Sequence, residues 1–210
     1  MLKQFNIATL SFRDPVGDEN GWINIATQAQ IDEISESITN GGDVWMESGE
    51  ICCSGKAPSE FHVFDREKKQ FVISKEKQAE LLIKQRAEIR TQINAKRDEC
   101  VNGGVFVPEI NKWVDTDDKG RSTLVEIKAD FDLNGKNNTY TLICADNTAQ
   151  VIHFEEFKAV WNAVKTLKEK MYENAYMHKV LLEQSENPTD YNWSTGWSKT
   201  YQEHLNEQQA

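Results

Sequence analysis

The sequence predicts an α+β fold in which two small domains are joined by a long helix. Short apolar runs separated by turn residues fill residues 1–73, which predicts a small β-rich N-terminal domain with one short helix. No Gly or Pro occurs between Ser74 and Gly103, which predicts a connecting helix over residues 74–100. Residues 101–187 mix strand-like and helical patterns, which indicates a small α+β C-terminal domain with β-hairpins and a long helix. Residues 188–210 are predicted to form an aromatic, weakly ordered tail.

The strands of the first domain are predicted from apolar runs bounded by polar turns. These runs are Phe5–Phe12, Trp22–Ile25, Val44–Met46, Ile51–Cys53, Phe61–Phe64 and Phe71–Ile73. The polar residues 65–69 separate the last two runs and predict the tip of a hairpin. Ile31, Ile34 and Ile38 recur at spacings of three and four, so a short helix is predicted over residues 28–38.

The connecting helix is predicted to begin after Ser74, a good N-cap residue. Its apolar residues recur at spacings of three and four, with Arg86 and Lys96 interrupting the stripe: Ala79, Leu82, Ile89, Ile93 and Cys100. The stripe does not contain three heptads with apolar residues at both core positions, as a coiled coil requires. The pattern therefore leaves open whether this helix packs on a domain of its own chain, forms a solvated connector or joins other copies in a coiled coil.

In the second domain, two short strands are predicted at 105–107 and 112–114, followed by a short helix over residues 122–131. A strand pair is predicted at 140–144 and 150–154, with Asp146-Asn147 as its turn. Glu155 and Glu156 suit the positive N-terminal end of a long helix, which Pro188 limits on the other side.

The charge of the chain argues against nucleic-acid and membrane partners. The chain has 24 Lys and Arg against 34 Asp and Glu, a net charge of -10, and a mean hydropathy of -0.65. Residues 1–65 hold 3 basic and 11 acidic residues, residues 66–97 hold 10 and 4, and residues 98–210 hold 11 and 19. Acidic flanks repel phosphate backbones and anionic lipids, so the basic stretch is interpreted as a solvated helix face. Neither a signal peptide nor an apolar span of about 18 residues is recognised.

The cysteines and histidines predict no metal or catalytic site. Cys52 and Cys53 are adjacent whereas Cys100 and Cys144 stand alone, which fits reduced thiols in a reducing cytoplasm. The four histidines lack the paired spacing of a zinc site, and neither a nucleophile motif nor a phosphate-binding loop occurs. We therefore expect no enzyme activity and no cofactor.

One stretch partly matches an EF-hand calcium loop. Asp115, Asp117 and Glu126 occupy positions 1, 3 and 12 of such a loop, and Gly120 occupies position 6. Lys119 stands at position 5, where its ammonium group would repel a bound cation. The sequence therefore favours a polar turn over a calcium site.

The middle of the chain resembles a known family. Residues 55–62, followed by Phe64-Asp65 and 70–72, resemble the middle of tail-fibre-assembly-type proteins from tailed phages and prophages, in which a strand pair leads into a long Lys/Glu/Ala-rich helix. The residues after this helix resemble an uncharacterised C-terminal domain common on such proteins. The matching positions are Arg97-Asp98, Gly104-Val105, Trp113, Asp115-Thr116-Asp117, Asp146-Asn147 and 154–157. The resemblance covers about residues 55–185 and departs from the family pattern at 118–122, where the family shows a helix start.

The resemblance implies a non-enzymatic phage or prophage tail protein in the cytoplasm of the bacterial host or in the virion tail. It implies a chaperone for tail fibre assembly, or an accessory subunit on the C-terminal region of the fibre. The alternatives are a structural tail or baseplate component and a host-directed protein-interaction module, and a homo-oligomer remains open. We expect partner contacts at two sets of apolar residues, with internal packing as the alternative for each: Ala79, Leu82, Ile89 and Ile93, and Tyr191, Trp193 and Trp197.

Overall fold

The computed structural model describes residues 2–17 and 20–209, and the chain divides into two compact units between Ile83 and Lys84. The first unit contains one short helix, α1 (Gln28–Thr39), and short strands. The strands are β1 (Lys3–Asn6), β2 (Ser11–Arg13), β3 (Ile23–Ile25), β4 (Val44–Glu47), β5 (Glu50–Cys53), β6 (His62–Asp65) and β7 (Gln70–Ile73). A mixed α and β fold is thus confirmed, and the first unit is rich in strands as the apolar runs predict.

The first unit is built around a three-stranded antiparallel sheet in the order β2-β1-β3. Phe5 and Ile25 from this sheet, Ile34 from α1 and Val44 from β4 form its core. The apolar run 5–12 proves to be two strands, because the chain turns at Leu10 with a φ of 49°. The Asn6 side chain accepts from the amides of Ala8 and Thr9 at 2.9 and 3.0 Å and supports this turn, whose own residues are mostly apolar.

Helix α1 confirms the predicted helix over residues 28–38. The Thr27 side chain accepts a hydrogen bond from the Gln30 amide at 3.2 Å, which satisfies one of the amides left free at a helix start. Ser37 is buried, and its hydroxyl accepts from the amide of Gly55 at 3.0 Å. This bond ties the last turn of α1 to the chain that follows β5.

The long connecting helix is confirmed as α2 (Lys75–Asn102). The Ser74 hydroxyl accepts from the Lys77 amide at 3.3 Å, and Gly104 follows the helix with a φ of +87°, which favours glycine. The C-terminal part of α2 packs within the second unit against α4 (Phe154–Gln184). For residues 84–102, the helix therefore packs on its own chain, one of the alternatives that its apolar stripe leaves open.

The second unit also contains β8 (Val105–Val107), β9 (Lys112–Val114), α3 (Asp118–Asn134), β10 (Tyr140–Ile143) and β11 (Ala149–Ile152). The strands β8 and β9 are confirmed and pair with each other, and β10 pairs with β11 as predicted, both antiparallel. Helices α3 and α4 and the strands enclose one apolar core, whose largest aromatic members are Phe131 and Phe157. Helix α4 begins at His153, whose amide donates to the Glu156 carboxylate at 2.8 Å.

Helix α3 begins four residues earlier than predicted, so the expectation of a polar turn after Asp117 is wrong. The Asp117 carboxylate accepts from the amide of Gly120 at 2.8 Å and caps the helix. A Cβ at position 120 would lie 2.4 Å from the backbone oxygen of Asp115, which explains a glycine inside a first helical turn. Residues 118–122, where the chain departs from the family pattern, are thus themselves a helix start.

The C-terminal segment differs from the predicted weakly ordered tail. It contains a single 3-10 turn (Pro188–Asp190) and helix α5 (Tyr201–Gln208), and its aromatic side chains pack on the second unit. The amide of Tyr201 donates to the Gly103 oxygen at 2.7 Å. A Cβ at position 103 would lie 2.4 Å from a Thr200 methyl carbon, so glycine allows this close approach. Trp193, Trp197 and Tyr201 recur at a spacing of four, but only Tyr201 lies in a helix, so this spacing does not reveal how the side chains pack.

Candidate functional site

His178, on the buried face of α4, holds the C-terminal segment in place. Its Nε2 atom lies 2.9 Å from the Thr195 carbonyl oxygen and must donate, because a carbonyl only accepts. Its Nδ1 atom bonds the Tyr191 hydroxyl at 2.8 Å, and the Trp197 ring stacks on the imidazole with centroids 5.6 Å apart. Burial also raises the pKa of the Tyr191 hydroxyl. This histidine is therefore a packed structural residue with both ring nitrogens engaged.

The residues predicted to contact a partner are divided between the two units. Ala79 is exposed and Leu82 is half-buried, both on the N-terminal part of α2. The other five pack together in one cluster of the second unit with Ala175 and Leu182: Ile89, Ile93, Tyr191, Trp193 and Trp197. Ile93 is 0% exposed, so a partner cannot reach it in this conformation. Ile89 and Ile93 thus belong to the same cluster as the three aromatic residues, and the structure favours internal packing for these five residues.

The residues of the partial calcium loop do not form a cluster. Asp117 is engaged as the N-cap of α3, and Glu126 points outward from the same helix. Desolvation and the neighbouring charge of Asp117 raise the pKa of Asp115, which makes this carboxyl a poorer cation ligand. Within residues 2–17 and 20–209, no group of three or more His, Cys, Asp or Glu side chains is placed to hold a metal ion.

We expect Asp117→Ala to lower the free energy of unfolding by about 1 kcal/mol, because an N-cap is lost. The melting temperature of the unchanged protein should be the same in millimolar calcium and in EDTA, since a bound ion would raise it by mass action. Differential scanning fluorimetry measures both effects. A calcium-dependent rise that Asp117→Ala abolishes would contradict the capping role and indicate a calcium site instead.

In the first unit, the β6–β7 hairpin is held against the β4–β5 hairpin by aromatic and ionic contacts. The Phe64 ring stacks on Trp45 with centroids 5.1 Å apart, and Phe71 meets Phe64 edge-on at 5.3 Å. Lys69 pairs with Glu47 at 2.9 Å, and an Arg66–Asp43 ion pair also joins the hairpins. The Arg66 guanidinium holds the pKa of Asp43 below its usual value. One face of β6–β7 is thus occupied by β4–β5.

The other face of β6–β7 carries two valines beside the polar pair Asp65 and Gln70. Val63 lies directly opposite Val72 in the register, so the two side chains share this face. Val63 is 40% exposed. Among the described strands, β6 and β7 pair only with each other, which leaves each with an outer edge of backbone groups that has no partner strand. We call the Val63–Val72 face and these edges the hairpin surface.

A groove in the second unit lies between α3 and α4. Its floor is formed by the buried side chains of Leu124 and Val164, and its walls by Val125 and Trp161. The volume is about 190 Å³ and the lining is almost entirely apolar. Trp161 is itself held by the Phe157 ring, with centroids 5.9 Å apart. The α3–α4 groove is therefore an apolar depression with a rigid aromatic wall.

Three cations border the α3–α4 groove. Arg121 bonds Asp118 at 2.6 Å, and Lys165 lies 3.6 Å from Glu169. Lys168 has no acidic partner in the part of the chain that the structure describes. Sequence reasoning missed this site because the lysines occupy ordinary polar positions of an amphipathic helix. Trp161, beside the apolar stripe of that helix, was the available signal.

Cys100 and Asp146, also in the second unit, have shifted pKa values, and their contacts stabilise the fold. Burial raises the pKa of the Cys100 thiol to about 11, so this cysteine stays protonated at neutral pH. Lys112 donates to the Asp146 carboxylate at 2.7 Å and the Thr148 hydroxyl donates to it at 2.6 Å, and these bonds hold the pKa of the Asp146 carboxyl well below its usual value. These contacts fix the turn between β10 and β11.

A family model described as a domain of unknown function (DUF4376) matches residues 84–195, more than half of the 210 residues, and the chain belongs to this family. The match begins where the second unit begins, and it contains both the α3–α4 groove and His178. No curated protein and no solved structure matches the chain. No helix in the described ranges is both long enough and apolar enough to cross a bilayer.

Proposed function

We propose that this DUF4376 protein acts by binding another protein, without catalysing a reaction, and that its partner is the tail fibre of a phage or prophage. It would serve as a chaperone of fibre assembly or as an accessory subunit on the C-terminal region of the fibre. The sequence supports this through the resemblance to tail-fibre-assembly-type proteins over about residues 55–185. That resemblance includes the β6–β7 hairpin.

The observation that carries the proposal is the hairpin surface. A strand edge without a partner strand can accept an extended segment of another chain, which adds to the sheet through backbone hydrogen bonds. The exposed Val63 and its neighbour Val72 would then cover apolar residues of that segment. The contacts of Phe64 with Trp45 hold the hairpin in place, so little ordering cost would be added on binding.

A tail fibre is a suitable partner on physical grounds. Long trimeric fibres expose apolar strand edges before the three chains close, and such edges aggregate. An acidic partner with a net charge of -10 would cover an edge and keep the unclosed fibre in solution. Once the trimer closes, its own strands would occupy those edges and displace the chaperone.

The proposal predicts that a tail fibre gene lies beside the gene for this chain, and the test is co-expression with a C-terminal fragment of that fibre protein. We expect the protein to increase the amount of soluble fibre trimer, measured by size-exclusion chromatography. Val63→Glu should remove most of this gain, because it replaces an exposed valine of the hairpin surface with a charged side chain. Val16→Glu is the matched control, since Val16 is also an exposed valine of the first unit. It should leave the gain unchanged.

If the fibre fragment trimerises equally well alone, the chaperone form of the proposal is wrong. Mass spectrometry of purified particles then separates the remaining forms: an accessory subunit or structural tail component is retained, whereas a chaperone is absent. A pull-down from host lysate that recovers one host enzyme, with the fibre left unbound, would instead favour a host-directed module.

A further inference from the structure

We propose that the α3–α4 groove binds an acidic segment of a protein partner. One bulky apolar side chain of that segment would seat against Val125 and Trp161, while carboxylates beside it would pair with Lys165 and Lys168. This surface lies in the second unit, within the residues that the family model matches. The inference does not depend on the tail-fibre role, which concerns the hairpin surface of the first unit.

The apolar lining indicates what the groove holds. Val125 is 56% exposed directly beside the buried Leu124, so apolar surface that could be covered is left in water. The volume of about 190 Å³ lies below the roughly 300–1,000 Å³ of sites that bind small-molecule ligands. A space of this size suits a single anchoring side chain, such as Leu or Phe, of the kind that dominates the energy of protein interfaces.

The charges around the groove determine which residues can flank the anchoring side chain in the partner segment. Lys168 has no acidic partner among the described residues, and the 3.6 Å between Lys165 and Glu169 exceeds the roughly 2.7–2.9 Å of a strong charge-assisted hydrogen bond. Both lysines are therefore available to carboxylates. A basic segment would be repelled by the same groups, so charge complementarity favours an acidic occupant.

The surroundings favour a short protein segment over a nucleic acid. Residues 98–210 carry 11 basic and 19 acidic residues, and this excess of negative charge repels an extended phosphate backbone. Trp161 is half-buried with Phe157 against it, which leaves it as a wall of the groove and not as an open platform for base stacking. An acidic segment brings only a few charges and places them next to the two lysines.

The test uses the full chain and two fluorescein-labelled peptides with the same Asp/Glu-rich flanks. One peptide has a central Phe and the other a central Ser, and fluorescence anisotropy measures their binding. We expect the Phe peptide to bind at least about tenfold more tightly, because only its central side chain fills the groove. Added salt should weaken binding of the Phe peptide, since the flanking contacts are ionic.

Matched variants locate the binding site. Val125→Glu and Lys168→Glu should each weaken binding of the Phe peptide about tenfold, by placing a carboxylate at the groove. The controls are Leu133→Glu and Lys170→Glu, which make the same substitutions at exposed positions of α3 and α4 that do not line the groove. We expect the controls to bind within about twofold of the unchanged protein. Circular dichroism verifies that all four variants fold.

Three results would overturn the inference. The first is the absence of Phe-peptide binding at concentrations up to about 1 mM, the weakest affinity of interest for a specific contact. The second is equal affinity for the two peptides, or an equal loss of affinity for the Phe peptide in the groove variants and the control variants. Either result would show that charge alone attracts the peptides. The third is a single-stranded oligonucleotide that binds through Lys168 when the Phe peptide does not.

Discussion

Phe131→Ala is expected to lower the free energy of unfolding of the second unit by about 3–5 kcal/mol, the usual cost of removing a buried aromatic ring. Phe131 is 2% exposed at the centre of the core between α3 and α4. Its ring meets those of Tyr140, Phe154 and Phe157 with centroids 4.9, 5.3 and 5.4 Å apart. The truncation would leave a cavity bordered by three rings, one on β10 and two on α4, and these elements are packed around the same core, so little collapse can offset the loss.

Urea unfolding followed by near-ultraviolet circular dichroism measures this change. The matched control is Leu133→Ala on the same helix, because Leu133 is 83% exposed and its removal opens no cavity. We expect the control to change stability by less than about 0.5 kcal/mol. Equal losses in the two variants would mean that packing around Phe131 does not set the cost, and helix propensity cannot account for a loss because alanine is the best helix former. A result below about 1 kcal/mol for Phe131→Ala would show that the core repacks.

The elements that local patterns specify were predictable from sequence. Ile31, Ile34 and Ile38 repeat on one helical face, and the stretch from Ser74 to Gly103 contains good helix formers with an N-cap at one end and a glycine stop at the other. The pairing of β6 with β7 follows from two apolar runs around a polar tip. Each of these signals lies within about 30 consecutive residues and needs no knowledge of the tertiary fold.

The start of α3 was mispredicted although its contacts are local. The stretch 118–121 has a polar, Gly-containing composition typical of a turn, yet Asp117 caps a helix there and the nearby backbone of Asp115 leaves room only for glycine. The α3–α4 groove, by contrast, is a product of tertiary packing: Arg121 and Lys168 lie 47 positions apart in the sequence, and nothing in their local context places them together.

The same cause explains the C-terminal segment. Tyr191, Trp193 and Trp197 pack with residues of α2 and α4, and these partner side chains lie up to about 100 positions away. An unusual density of Trp and Tyr near a chain end was the available signal, since large aromatic side chains carry more apolar area than an unpacked segment would expose. The composition therefore indicated that these aromatic side chains are packed, but it did not indicate which part of the chain they pack against.

Trp197→Ala is expected to lower the free energy of unfolding by about 3 kcal/mol, toward the lower end for aromatic truncations because Trp197 is half-buried. The indole stacks on His178, and its Nε1 atom donates to the Trp193 oxygen at 2.8 Å. The ring also packs beside Met171, whose sulfur accepts from the Ser198 amide at 3.3 Å. Its removal would therefore loosen the C-terminal segment along much of its contact with α4.

Hydrogen exchange distinguishes this local effect from a general loss of stability. In Trp197→Ala, amides of residues 188–209 should exchange faster than those of α3, because the segment can detach while the core around Phe131 persists. Trp197→Phe is the control: it keeps an aromatic ring against His178 and loses the Nε1 bond, so we expect a cost of only about 1–2 kcal/mol. Uniform acceleration in both segments would show that the C-terminal segment and the α3–α4 core unfold as one cooperative unit. In that case the Ile89 and Ile93 cluster becomes accessible to a partner only when the whole unit opens.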